Sequence, residues 1–188
     1  MRKKQPGTVR IIAGKWRGTR LPVRDLPGLR PSGDRSRETL FNWLQMHIRG
    51  SHCVDLFAGS GVLGLEAASR GAENVVLVEK SKPAVDDIRE SLARLKADKV
   101  ELIQADALSW LANCGPQTLD IVFIDPPFGM GLEARALEVL AAGNCMRDGG
   151  LVYVETARDA PPPTPGSGWD VIKESVMGEV RIRLLQKV

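Results

Sequence analysis

The residues of this chain with the clearest chemical content are Asp125, Pro126, Pro127 and Phe128, which close the apolar run 119–124. The two prolines fix φ at about −65°, lack N–H donors and push Asp125 away from helical geometry, so the chain leaves the run extended. Neither proline can occupy a neighbouring acceptor with its own amide. The Asp125 carboxylate and the Pro126 carbonyl can therefore both accept hydrogen bonds from an amino group, while Phe128 offers a ring face for stacking. An exocyclic amine on a nucleobase is a poor nucleophile because its lone pair is delocalised into the ring. Acceptors fixed around its N–H bonds favour the pyramidal form that attacks, which is stabilisation by preorganised dipoles. The implied chemistry is methyl transfer to such an amine. An ordinary Asp-Pro turn after a buried strand has the same local sequence, so the rest of the chain has to decide between them.

A second segment, Asp55-Leu56-Phe57-Ala58-Gly59-Ser60-Gly61-Val62-Leu63-Gly64, runs from an apolar stretch into a helical pattern. Its glycines stand where a backbone must turn tightly and approach a ligand. Gly59-x-Gly61-x-x-Gly64 also satisfies the dinucleotide fingerprint, and Glu79, 20 residues past Gly59, can bind ribose hydroxyls. NAD is thus a rival cofactor at this point. Three features favour S-adenosylmethionine. Asp55 places a carboxylate where an ammonium suits it better than a pyrophosphate. Asp106 can accept from an adenine amino group. In 188 residues no second domain to hold a hydride-transfer substrate is expected.

The chain's 188 residues, 43% hydrophobic and 26% charged, suffice for one well-buried domain with a small appendage. No stretch reaches membrane-spanning length, and the N-terminus carries no apolar signal core, so a cytoplasmic protein is expected. Cys53, Cys114 and Cys145, with only His47 and His52, form no metal-ligand spacing; reduced thiols and no metal are expected. The net charge of +3 hides an asymmetry. Residues 1–37 hold 11 Lys+Arg against 2 acidic residues, leaving 15 against 21 behind them. A basic arm on an acidic body suggests a polyanion held at one edge.

The elements that must position these groups follow from periodicity. Segments 9–13 and 19–23 alternate around Gly14-Lys15-Trp16-Arg17-Gly18, predicting a hairpin with cations and an indole at its tip. Asp34 is expected to cap a helix through about His47 that turns Leu40, Phe41, Trp43 and Leu44 to the core and lids the main domain. Strands ending at Phe57 and over 74–79, 99–104, 119–124 and 150–155 alternate with helices 61–70, 82–96, 107–113 and 131–144. Segments 169–175 and 179–186 read as a closing antiparallel pair. The predicted class is α/β, a Rossmann-like doubly wound sheet of seven strands, the last antiparallel, with a small N-terminal β-hairpin extension. The hairpin arm is expected over 1–30 and the main domain over 31–188.

Asp55 to Gly61, Glu79, Asp106 and Asp125 to Phe128, in this order, resemble the class I S-adenosylmethionine-dependent methyltransferases of the amino-methylating branch. Val9-Arg10-Ile11-Ile12-Ala13-Gly14-Lys15-Trp16-Arg17-Gly18 and the segment Arg30 to Leu44 narrow this. Together they resemble the bacterial small-subunit ribosomal RNA guanine-N2 methyltransferase family, over nearly the whole chain. The resemblance implies methylation of the exocyclic amine of one guanine in 16S ribosomal RNA, in an assembled or assembling subunit, by a monomer. By motif, Asp55, Phe57, Ala58 and Gly59-Ser60-Gly61 would hold the methionine part of the cofactor, Glu79 the ribose, and Asp106 with Ala107 the adenine. Asp125, which borders the cofactor too, would receive the base with Pro126, Pro127 and Phe128. The Arg30 to Glu38 segment would border the same pocket. One departure is Ser32, where the family pattern suggests threonine; the hydroxyl is kept.

A flipped guanine is more cheaply supplied by loop or bulge RNA than by a duplex. Arg10, Lys15, Arg17, Arg20, Arg30, Arg35 and Arg37 are the phosphate candidates, with Trp16 available either to stack on a base or to pack the hairpin down. A DNA adenine or cytosine amino-methyltransferase, an enzyme acting on another RNA, a protein glutamine methyltransferase and a non-catalytic RNA-binding assembly factor remain as alternatives.

Overall fold

Five short apolar segments bounded by turns, each too short for a buried helix, pair side by side as parallel strands, and the amphipathic segments between them cover both faces. In the computed structural model, which describes residues 7–23, 33–164 and 166–188, these are β3 (His52–Asp55), β4 (Asn74–Glu79), β5 (Val100–Gln104), β6 (Leu119–Ile124) and β7 (Met146–Ala157). Arg30 and Ser32 lie outside the described residues. A separate hairpin, β1 (Gly7–Arg10) with β2 (Arg20–Val23), precedes them, and β8 (Trp169–Met177) and β9 (Val180–Lys187) follow.

The seven-stranded sheet has the order β5-β4-β3-β6-β7-β9-β8. Because β9 is antiparallel to both of its neighbours, it alone runs against the rest. The last two strands do pair as expected, but the final strand inserts between β7 and β8 instead of closing the edge. The chain winds outward through β4 and β5, then returns to place β6 beside β3. That reversal is a topological switch point, where the carboxyl ends of two adjacent strands open a crevice for ligand.

Helices α1 (Asp34–Trp43), α2 (Val62–Ser69) and α3 (Lys82–Leu95) cover one face, and α4 (Ala107–Ala112) and α5 (Leu132–Ala142) the other. Helix α1 is shorter than expected, ending at Trp43, after which tight turns carry the chain to Gly50. Asp34 does not cap it. Gly33 takes the cap position and its carbonyl accepts from the Ser36 hydroxyl, while the Asp34 carboxylate turns to Arg37. Strand β7 starts four residues early because a bulge absorbs the Gly149-Gly150 pair: the register shifts between Leu119 and Ile121, and Gly149 takes a φ of 75°.

The hairpin is built into the body. Val9, Ile11, Leu21 and Val23 are buried in the same cluster as Leu40 and Phe41 of α1 and Leu65 of α2. Its tip is fastened to the end of α2: the Lys15 amide donates to the Ser69 carbonyl, the Trp16 amide to the Ser69 hydroxyl oxygen, and that hydroxyl donates to the Ala13 carbonyl at 2.6 Å. Gly14 sits at φ 82°, and a Cβ there would come within 1.9 Å of the Ser69 carbonyl oxygen, so the contact requires glycine.

Candidate active site

Asp55 ends β3, and from there the chain must cross the top of the sheet to enter α2. The Ala58 amide donates to the Val78 carbonyl and the Gly61 amide to the Ala58 carbonyl, closing a tight loop in which Gly59 and Gly61 both take positive φ. Gly64 lets α2 lie against β4; a Cβ there would meet a Leu77 methyl at 2.2 Å. The loop amides are organised by Glu79 at the end of β4, whose Oε2 accepts from the Gly59 amide at 2.8 Å and whose Oε1 accepts from the Ser81 amide at 2.7 Å. Asp106, after β5, caps α4 by accepting from the Ser109 amide, and Lys80 lies 3.3 Å from its other oxygen. The Ser109 amide, then Lys80, hold its carboxyl below the ordinary range. Each of these carboxylates thus has a local structural task as well as a place at the crevice.

One cavity of about 470 Å³ gathers these strand ends. Asp55, Phe57, Ala58, Gly59 and Ser60 line one side, and Glu79, Asp106 and Ala107 the adjoining wall. Asp125, Pro126, Pro127 and Phe128 lie across the switch point. Gly61 is the exception: it shapes the turn into α2 without lining the cavity. Sequence reasoning missed Lys80 and Ser81 at one end and Met130, Leu132 and Arg135 at the other. Arg135 stands one turn into α5, so proximity to the Asp125 loop was the only signal available.

The electrostatics of the cavity are set by buried acid. Asp55 is buried, and although its Oδ2 accepts from the Gly64 amide at 3.1 Å, its Oδ1 has no partner. Burial, then the charges of Asp125 and Glu79, push Asp55 up to about 7, against the Gly64 hydrogen bond and a weaker pull from the Phe57 amide, which does not reach hydrogen-bonding geometry with Oδ1. An orphaned carboxylate oxygen at a strand end is what a ligand ammonium would complete, since a cation there repays the burial of the charge.

The predicted nucleic-acid contacts fall elsewhere. Among the described residues none of them lines the cavity, nor does the described part of the 30–38 segment. Arg10, Lys15, Arg17, Arg20 and Arg35 are exposed. Arg37 is not available: its side chain is fully buried, ion-paired to Asp34 and Glu66, and donates to the Arg10 carbonyl at 2.9 Å. It resembles a phosphate contact because it sits in a basic stretch, but its helix position turns it to the core. Trp16 packs against the core, with its indole nitrogen buried and the Lys15 ammonium 5.5 Å from its ring centroid, so it fastens the hairpin down. Arg94 of α3, not anticipated, reaches the hairpin and donates to the Arg20 carbonyl.

A doubly wound sheet with one reversed strand near its edge, a glycine loop after β3 and an acceptor-rich proline turn after β6 define a Rossmann-like methyltransferase fold. The family model described as "Conserved hypothetical protein 95" matches residues 9–186. The chain is 44% identical over 181 residues to ribosomal RNA small subunit methyltransferase D of Escherichia coli K12, covering 96% of this chain and 91% of that one. It is 45% identical over 183 residues to the protein of the same name from Haemophilus influenzae, covering 96% and 94%. A solved Escherichia coli structure, described only provisionally as a methyltransferase, superposes with a TM-score of 0.88 at 42% identity, covering 96% of this chain and 98% of that one. The chain belongs to the ribosomal RNA small subunit methyltransferase D family.

Proposed function

We propose that this protein transfers the methyl group of S-adenosylmethionine to the exocyclic N2 amine of one guanine in small-subunit ribosomal RNA. The observation that carries the reading is that the partnerless oxygen of Asp55 and the acceptor turn Asp125 to Phe128 lie on adjacent strand ends of a single cavity. The residues present fit the cofactor: Asp55 for its ammonium, the Gly59-Ser60 backbone for its carboxylate, Glu79 for ribose hydroxyls and Asp106 with Ala107 for adenine. When bound, the cofactor supplies an already activated sulfonium methyl, so the protein's task is alignment, acceptors and exclusion of water. Asp125 and the Pro126 carbonyl accept the amine's N–H bonds, and Phe128 stacks on the base. The names of the relatives support the ribosomal substrate. Among the described residues no helix is long and apolar enough to cross a membrane; the ribosomal substrate named for the relatives is what supports a cytoplasmic site of action.

The test is transfer of labelled methyl to small subunits purified from cells lacking this gene, with the modified base identified by digestion and mass spectrometry. N2-methylguanine in small-subunit RNA is the expected product. No transfer to subunits by protein that binds the cofactor would send the search to other RNAs, DNA and proteins.

The exposed cations of the docked hairpin are proposed to track phosphates around the target loop. Replacing Lys15 and Arg17 together with alanine is expected to weaken RNA binding and to reduce its log–log salt slope by roughly 1.5, about 0.7–0.9 for each phosphate that is no longer neutralised. Cofactor affinity should not change. An unaltered slope would remove the hairpin from the RNA interface.

A further inference from the structure

A buried carboxyl beside the acceptor turn has no part in the chemistry described so far. Strands β6 and β7 run in register with Ile124 beside Val154, which puts Asp125 beside Glu155 one step further along. Glu155 is 3% exposed, and its Oε2 accepts a hydrogen bond from the hydroxyl of the fully buried Tyr153 at 2.6 Å. Its partner on the other flank is Ile182 of β9, which carries no charge. The β9 arginines occupy the neighbouring register positions and turn to the opposite face. Arg183 bonds the Pro163 carbonyl, and both Arg183 and Arg181 pair with Glu174. Of the other acids at this end of the sheet, Asp55 on β3 is itself buried, and Glu79 and Asp106 stand beyond it at the ends of β4 and β5.

A carboxylate in such a place, flanked by acids and an apolar strand, is costly as an anion and cheap as an acid. Burial, and then the charge of Asp125, push Glu155 up to about 8, with the Tyr153 hydroxyl pulling the other way. Tyr153 is raised well above its ordinary value by burial and by the same two carboxylates, so its proton stays in place. Two neighbouring carboxyls that cannot both ionise divide one proton between them according to environment. Here the environments differ: Asp125 faces the cavity and Glu155 faces the core.

We propose that Glu155, as the neutral acid bonded by Tyr153, is a positioning residue for Asp125, keeping the pair's single negative charge on the oxygens that meet the substrate amine. It touches neither substrate nor cofactor. Its proton is not consumed: when the carbon–nitrogen bond forms and the carbon–sulfur bond breaks, the amine proton leaves to Asp125 or to water. The inference rests on the role given to Asp125 under Proposed function.

Glu155→Gln keeps the shape and neutrality of the acid, and the double variant Tyr153→Phe/Glu155→Leu removes both hydrogen-bonding partners without stranding either. The first readout is thermal stability against pH, which needs no RNA. With its folded value raised from 4.5 to about 8, the stabilising contribution of Glu155 is full below about 4.5 and is lost as pH rises through about 8. Glutamine cannot ionise, so the melting temperature of E155Q relative to the parent should climb across that window by several degrees. A flat or falling difference would show an ionised Glu155 and overturn the inference. The second readout is kcat. E155Q should stay within about threefold of the parent at pH 7, while the double variant should lose about tenfold or more at unchanged cofactor affinity. Parental kcat in the double variant would also overturn it. Failure of the parent itself to methylate small-subunit RNA would instead overturn the reading of the site, whatever the melting curves show.

Discussion

Asp125→Ala is expected to lower turnover roughly 100- to 1,000-fold, the cost of removing one preorganised group from a developing charge. The loss should fall on kcat, with affinity for S-adenosylhomocysteine little changed by calorimetry, because the hydrogen bonds that shape the loops at Gly59, Glu79 and Asp106 are intact in the variant. One secondary effect has a definite sign. The charge of Asp125 helps to raise both Asp55 and Glu155, so its removal lets both titrate at lower pH. Asp55 would then be more fully ionised at pH 7 and would hold a ligand ammonium at least as well as before. Asp125→Asn, which keeps one acceptor and loses the charge, should fall between. Parental turnover in Asp125→Ala would remove the acceptor role from this residue. Parallel loss of turnover and cofactor affinity would mark it as a cofactor ligand first.

What can be read from the sequence is what is local. Strands β4 and β6 fall at the limits their residues predict, because a buried parallel strand is a continuous apolar run with abrupt polar ends. Asp55, Glu79 and Asp125 stand out for the same reason: each is the first carboxylate after such a run, whereas Asp106 follows the mixed strand β5, and all parallel strands of the sheet end at the same side. What depends on lateral register is not legible. Glu155 reads as the end of an ordinary strand, and only the pairing of Ile124 with Val154 makes it a neighbour of Asp125. Strand order is hidden likewise, since periodicity along 180–187 cannot say that β9 lies inside β8. Arg37 is misread, and Trp16 keeps two readings, because charge and ring count as surface chemistry until a partner is known. Their partners, Glu66 and the core beneath the hairpin, are supplied by a helix more than twenty residues away.

Glu66 is that partner, and removing it should produce a large loss of stability. Its side chain is fully buried in α2, one turn after the cofactor loop. Oε2 accepts from the Ile12 amide at 2.7 Å and lies 3.7 Å from Arg37; Oε1 accepts from the Ala13 amide at 3.0 Å and from Arg70 at 2.7 Å. One carboxylate therefore satisfies two backbone donors of the hairpin and two guanidinium groups. Glu66→Ala leaves both amides without that acceptor and takes the nearest interior anion from Arg37. Breaking one side of a buried ion pair costs about 3–5 kcal/mol, or roughly 6–20 °C in melting temperature for a chain of this length. Glu66→Gln keeps an acceptor for one amide and should lose about half as much. Hydrogen exchange locates the damage: the amides of Ile12, Ala13, Lys15 and Trp16 should lose protection first, while those of β6 and β7 keep theirs. Because α2 carries both the cofactor loop at its start and the hairpin contact at its end, Glu66→Ala should weaken RNA binding more than cofactor binding. Equal loss at the two sites would show that the hairpin and the loop unfold as one unit.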